Sequence, residues 1–122
     1  MGNIPRLVIL DRVRPGAPAN PAPEMIVSGI PRARLSNQYE EASKQFYCGL
    51  WSSTAGRWRV RYTEHEFCVM VEGRVRIESA DGDRHDFRPG DAFVIPAGFE
   101  GTWEVLEPCK KWYAMFEPRA GA

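Results

Sequence analysis

Residues 56–106, GRWRVRYTEHEFCVMVEGRVRIESADGDRHDFRPGDAFVIPAGFEGTWEVL, decide the fold of this 122-residue chain. In 57–63, Trp58, Val60 and Tyr62 alternate with Arg57, Arg59 and Arg61, which is the period-two pattern of a strand with one apolar face. Residues 66–71, 74–79, 84–87 and 92–95 read as further short strands. Turn chemistry separates them: Glu72-Gly73 suits a tight hairpin, Ala80-Asp81-Gly82-Asp83 and Arg88-Pro89-Gly90-Asp91 suit turns, and Pro96-Ala97-Gly98 breaks the next strand. Short strands at this spacing predict an antiparallel sandwich or barrel and exclude a helical bundle.

Outside this stretch, residues 46–51, 102–106 and 111–117 read as strands, the last two parted by a break at Glu107-Pro108. Residues 35–46, LSNQYEEASKQF, hold the only helical signal, with Ser36 or Asn37 as cap and Glu40 and Glu41 in the first turn. One short helix or none is expected. Six of the ten prolines precede residue 36, and residues 11–24, DRVRPGAPANPAPE, have no hydrophobic period. That segment reads as an extended, polyproline-like linker. The apolar pieces at 7–10 and 25–27 can each add a strand to a sheet edge, so residues 1–35 read as an arm with edge strands and 36–122 as a single domain.

Sixteen Lys and Arg balance sixteen Asp and Glu, so no global field draws the chain to nucleic acid or anionic lipid. Hydrophobic residues make up 43% and charged ones 26%, a globular balance, and no apolar run approaches the roughly 18 residues of a membrane span. The first residues, MGNIPRLVILDRVRPG, carry no long apolar core and read as no secretory signal. Cys48, Cys68 and Cys109 are odd in number and widely spaced, which fits neither a disulfide framework nor a four-cysteine zinc site and points to the reducing cytoplasm. Phe67, Val69 and Val71 oppose Glu66, Cys68 and Met70, so both faces of one strand are largely apolar. A second copy, meeting it through sheet faces and N-terminal arms, is the expected cover, making the chain a homodimer.

The quoted stretch resembles the two motifs of the cupin superfamily, whose fold is an all-β double-stranded β-helix, or jelly-roll barrel. Glu66 precedes Gly73 by the interval of the first motif, and Gly90, Pro96 and Gly98 match the second. The strings WSSTAGRWRVRYTEHEFCVMVEG and PGDAFVIPAGFEGTWEV further resemble small single-domain cupins of the ureidoglycine aminohydrolase and ethanolamine-utilisation branch. The resemblance covers roughly residues 26–117 and implies that the domain of residues 36–122 is a cupin barrel with an extended N-terminal arm. Where it would place metal-binding histidines, this chain has Arg59 or Val60, Arg61 or Tyr62, and Gly101. Only Glu66 of the four ligands remains, and one carboxylate does not hold a transition metal. The expectation is no cofactor and no metal site, with a divalent ion disfavoured. A rebuilt cluster of Glu64, His65, Glu66 and Cys68 has His65 facing away by alternation, and His85 reads as exposed.

The barrel is expected to hold a small-molecule pocket. Glu66, Glu64 and Tyr62 are the candidate catalytic residues, because two carboxylates beside aromatic walls repel each other and one should hold its proton more tightly. Trp51, Trp58, Cys68, Phe93, Trp103 and Tyr113 are the candidate substrate-binding residues. Lys110 and Lys111 each read as solvated, with one able to face an anionic substrate. Two functions stand side by side: an aminohydrolase- or isomerase-like enzyme acting on a ureide, amino or sugar-like metabolite, or a non-catalytic binding or sensory module. A third, purely structural barrel requires the aromatics to fill the lumen.

Overall fold

The structure is a computed structural model and describes residues 2–119. Its strands are β1 (Ala17–Pro18), β2 (Ile26–Gly29), β3 (Ala33–Glu40), β4 (Phe46–Ser53), β5 (Gly56–Arg61), β6 (His65–Ser79), β7 (Arg84–Phe87), β8 (Ala92–Ile95) and β9 (Glu100–Phe116), with one 3-10 turn, Pro23–Met25, before β2. All strand pairs are antiparallel, as expected for an all-β jelly roll. No helix among the described residues is long and apolar enough to cross a membrane.

The two long strands form the spine. The first half of β6 lies between β8 and the second half of β9, which continues through β4 and β3 to β1. The second half of β6 lies between β7 and the first half of β9, which continues through β5 to β2. Each spine strand therefore passes from one sheet to the other, and the core closes between the sheets on Trp58, Cys68, Met70, Val75, Trp103 and Val105.

This overturns two expectations. No hairpin forms at Glu72-Gly73 and no break at Glu107-Pro108, because β6 and β9 stay paired past both points. The ladder instead slips between Met70 and Val75, where Gly73 takes a φ of 76°. A bulge absorbs both the left-handed glycine and a proline that has no N–H to give. It also changes which positions face inward: Glu66, Cys68 and Met70 are buried before it, Val75 and Ile77 after it.

Residues 35–46 form no helix. Ala33 and Ser36 are buried as β3 pairs with β4, and tertiary pairing outweighs a weak local helix signal. The candidate capping chemistry serves a turn instead: the Glu41 carboxylate accepts the Ser43 N–H at 2.9 Å and the Ser43 hydroxyl. Residues 7–10 form no strand, and Leu7 and Ile9 are exposed, whereas the piece at 25–27 leads into β2 as expected. The turns at 80–83, 88–91 and 96–98 form where their sequences place them.

A Cβ at Gly73 would stand 2.1 Å from the Pro108 carbonyl oxygen, while one at Gly82, also at positive φ, would meet nothing within 4 Å. Gly73→Ala is expected to cost more than about 2 kcal/mol in urea unfolding, and Gly82→Ala only about 1 kcal/mol of backbone strain. Equal costs would show that the ladder slip is not a constraint.

Candidate functional site

Strands β3, β4, β5, β6 and β9 turn their inner faces to a cavity of about 310 Å³. Alternation along β5 brings Trp58 and Val60 to its wall, followed by Tyr62, and leaves Arg57, Arg59 and Arg61 outside. Of the residues expected to bind substrate, Trp51, Trp58, Trp103 and Tyr113 line the cavity, as do Tyr62, Glu64 and Glu66. Cys68 and Phe93 do not. Cys68 is fully buried behind the wall, and Phe93 stacks on Phe87 with centroids 3.9 Å apart.

The floor is a closed polar chain. Lys111, 4% exposed, donates from Nζ to Glu66 Oε2 at 2.7 Å, and Glu66 is 1% exposed. The Tyr62 hydroxyl donates to Glu66 Oε1 at 2.7 Å and accepts the Trp103 indole N–H at 3.0 Å. The ammonium lies 4.1 Å from the Trp103 ring centroid and 4.7 Å from that of Trp51, a cation–π cage. The ammonium also lies 3.6 Å from Cys68 Sγ. No buried side-chain nitrogen or oxygen among the described residues is left without a partner.

These partners set the protonation states. Burial works against a charged Lys111, yet the attraction of Glu66 prevails and raises the lysine's pKa, so the ammonium persists. Burial, and then the adjacent Glu66 carboxylate, push Tyr62 well above its ordinary range. Burial pushes the Cys68 thiol to about 12 against the pull of Lys111, so it is a neutral packing group and not a nucleophile. Glu64 and Glu66 both line the cavity, and each has its own donor: Lys111 for Glu66, and the Tyr47 hydroxyl, 2.7 Å from Oε2, for Glu64. Glu64 is half-buried at the cavity wall and also accepts from Thr63. Burial and Glu64 raise the pKa of Tyr47.

Lys111 is the residue whose expected position changes most: it is an interior ion-pair partner and not a solvated one. Its signal was present, since alternation along 111–117 puts Lys111 on the same face as Tyr113 and Met115, both of which line the cavity. The same rule applied to 46–51 puts Tyr47 beside Trp51. His65 turns from the cavity, accepts the Ala97 N–H at 3.1 Å and stacks on Phe116. His85 is exposed beside Asp83.

The site does not fit the metal that the family resemblance implies. Glu66, the retained ligand position, is already bonded by two protein donors. A Cβ on Gly101 would lie 2.0 Å from the Glu78 carbonyl oxygen, so no side chain enters there without moving the backbone. No group of three or more His, Cys, Asp or Glu side chains among the described residues is placed to hold an ion.

Residues 40–113, more than half of the chain, match the family described as the EutQ-like cupin domain. A protein of unknown function of the DUF861 family from Pseudomonas syringae pv. tomato is 27% identical, with a TM-score of 0.79 over 87% of this chain and 46% of that one. A DUF861 family protein from Thermotoga maritima is 31% identical over 52% of this chain and 73% of that one, with a TM-score of 0.51. The Clostridium difficile EutQ protein is similar at 15% identity, a likeness of fold alone, with a TM-score of 0.63 over 70% of this chain and 63% of that one. The chain thus spans about half of the Pseudomonas protein and under two thirds of the Clostridium protein. No curated protein matches it.

Removing one partner of a buried ion pair strands the other. Lys111→Met is expected to lose about 3–5 kcal/mol of stability, and adding Glu66→Gln to it should recover more than half of that loss. Urea unfolding of the two variants reads the difference, and a single variant as stable as the parent would show that the pair holds nothing together.

Proposed function

This chain belongs to the family of EutQ-like cupin domains, and from that premise we propose that it captures a small polar metabolite inside the barrel without a metal ion. The observation that carries the reading is the Lys111–Glu66 ion pair at 2.7 Å, which gives the one retained ligand position of the family resemblance a fixed cation from the chain itself. The cavity joins apolar walls, chiefly Trp51, Trp58 and Leu35, to few polar groups, the usual make-up of a small-molecule site. Glu64 accepts two hydroxyl donors, and a carboxylate has room for more. A ligand that brings N–H or O–H donors, a ureide, an amine or a sugar, suits it.

Capture is favoured over turnover because the floor is saturated. Glu66 has a donor on each oxygen, Tyr62 holds its proton and Cys68 is a thiol, so none of them is a ready base or nucleophile near pH 7. One observation supports the second reading, an enzyme moving protons: Tyr47 and Glu64, 2.7 Å apart at the wall, are an acid and a base outside the closed chain. The three free thiols fit a reducing, cytoplasmic setting.

The same reading includes a homodimer. Phe67 and Val94 are cross-strand partners on the outer face, 48% and 58% exposed, beside Ala114 and Ala92. The chain also carries an apolar arm that its own barrel leaves uncovered at Leu7 and Ile9. One chain thus supplies both an apolar sheet face and an apolar strip, which a two-fold partner would cover reciprocally.

Quenching of the cavity tryptophans should report saturable binding of at least one of urea-type, amine or sugar probes, unchanged by a chelator. Glu64→Gln should weaken it roughly tenfold or more, the scale of a hydrogen bond to a charged group. Turnover of a bound probe that Glu64→Gln abolishes while affinity stays would replace capture with catalysis, and no quenching by any probe class would overturn both. Light scattering should give a dimer mass that Phe67→Ser with Val94→Ser reduces to a monomer; a monomeric parent chain would remove the dimer.

A further inference from the structure

The N-terminal arm borders a second, open cavity on the opposite face of the sheet. Arg34, Ser52 and Lys110 are successive cross-strand partners on β3, β4 and β9, so all three project from the outer face. One rung on, Ser36 pairs with Leu50, and both are buried as the floor of this space.

The arm is pinned above that row at both ends. Gln38 accepts the Asp11 N–H at 2.5 Å and donates to the Asp11 carbonyl at 2.8 Å. The Asp11 carboxylate accepts the Val13 N–H at 2.9 Å, fixing the turn. Arg34 Nη1 donates to the Gly16 carbonyl at 3.0 Å, after which β1 joins β3. Arg12 and Arg14 lie between the pins.

The cleft between arm and sheet, about 180 Å³ and open to solvent, is lined by Arg12, Arg14, Arg34, Lys110 and the hydroxyl residues Ser36 and Ser52, with no carboxylate in its wall. None of the four cations has a carboxylate within 4.0 Å among the described residues. Elsewhere Arg57, Arg61, Arg74 and Arg76 each have a carboxylate partner, whereas Arg32, Arg59, Arg84 and Arg88 stand singly among the described residues. The acids nearest in the chain or ladder are Asp11, which turns back to Val13, and Glu72, the rung partner of Lys110. In a chain of zero net charge, this face gathers four cations against one ladder acid, Glu72, an excess of positive charge that a bound anion would offset.

We propose that this cavity binds a small tetrahedral oxyanion, phosphate or the phosphoryl group of a phosphomonoester. Guanidinium forks match two oxygens of such a group at once, and the lysine adds a point charge. The serine hydroxyls supply shorter donors from below. The volume suits one phosphoryl group. Because Arg12 and Arg14 come from the arm and Arg34 and Lys110 from the sheet, the bound anion would also fasten the arm to the barrel.

Calorimetric titration of the full chain with inorganic phosphate, and separately with glycerol phosphate, at constant ionic strength tests this. One saturable site per chain is expected for at least one of the two, with chloride and acetate at least tenfold weaker; which of the two binds more tightly identifies the source. Lys110→Met, which leaves every pin of the arm intact, and Arg12→Gln with Arg14→Gln should each weaken binding tenfold or more, while Arg61→Gln should not change it. Absence of saturable binding by both ligands, binding matched by acetate, or affinity unchanged in both sets of variants would overturn the proposal. Tryptophan quenching in the barrel reads the other cavity, so either site can fail without the other.

Discussion

The pairing of β6 with β9 is the constraint on which the molecule depends. Both strands are long enough to serve two sheets, and neither sheet has a centre without them. A ladder of that length, with its native twist, must either splay or bend, and the slip at Gly73 lets it bend. Everything that faces the cavity is positioned by where this ladder is in register and where it slips.

Register before the bulge sets Glu66, Cys68 and Met70 against Met115, Tyr113 and Lys111. One inward rung, Cys68 with Tyr113, lies between that of the carboxylate and that of the lysine, a span that the lysine stem crosses by leaning along the sheet past Cys68. Burying two charges is costly, and the cost is offset here by a short contact, a tyrosine donor on the second oxygen and two indole faces around the ammonium. The result is a buried ion pair in which a cation supplied by the chain answers the Glu66 carboxylate.

Adjacent lysines on β9 show how strictly strand geometry assigns roles. Lys111 projects inward and is buried in the cage, whereas Lys110 projects outward into the cavity beneath the arm. The same alternation separates Trp58 and Val60 from the arginines between them. One sheet thus carries an aromatic chamber on one side and a cationic cleft on the other, with a single backbone layer between.

Strand content, the turns at 80–83, 88–91 and 96–98, the arm and most of the aromatic wall were legible in the residues, because period-two alternation and turn chemistry are local properties. The family resemblance rested on those same residues. What failed were predictions in which a local signal competes with pairing: Gly73 and Pro108 look like strand ends until a long partner absorbs them in a bulge, and residues 35–46 look helical until β4 claims them. Cys68 and Phe93 have the right side-chain types for a pocket, yet depth decided their exclusion, and depth is a property of two sheets together. The sequence by itself determined which residues share a side within each unbroken run of strand; the tertiary structure alone decided where the ladder slips and that the inward lysine of β9 meets the carboxylate of β6, because the two are distant in the chain and only the register of the long ladder brings them within hydrogen-bond reach.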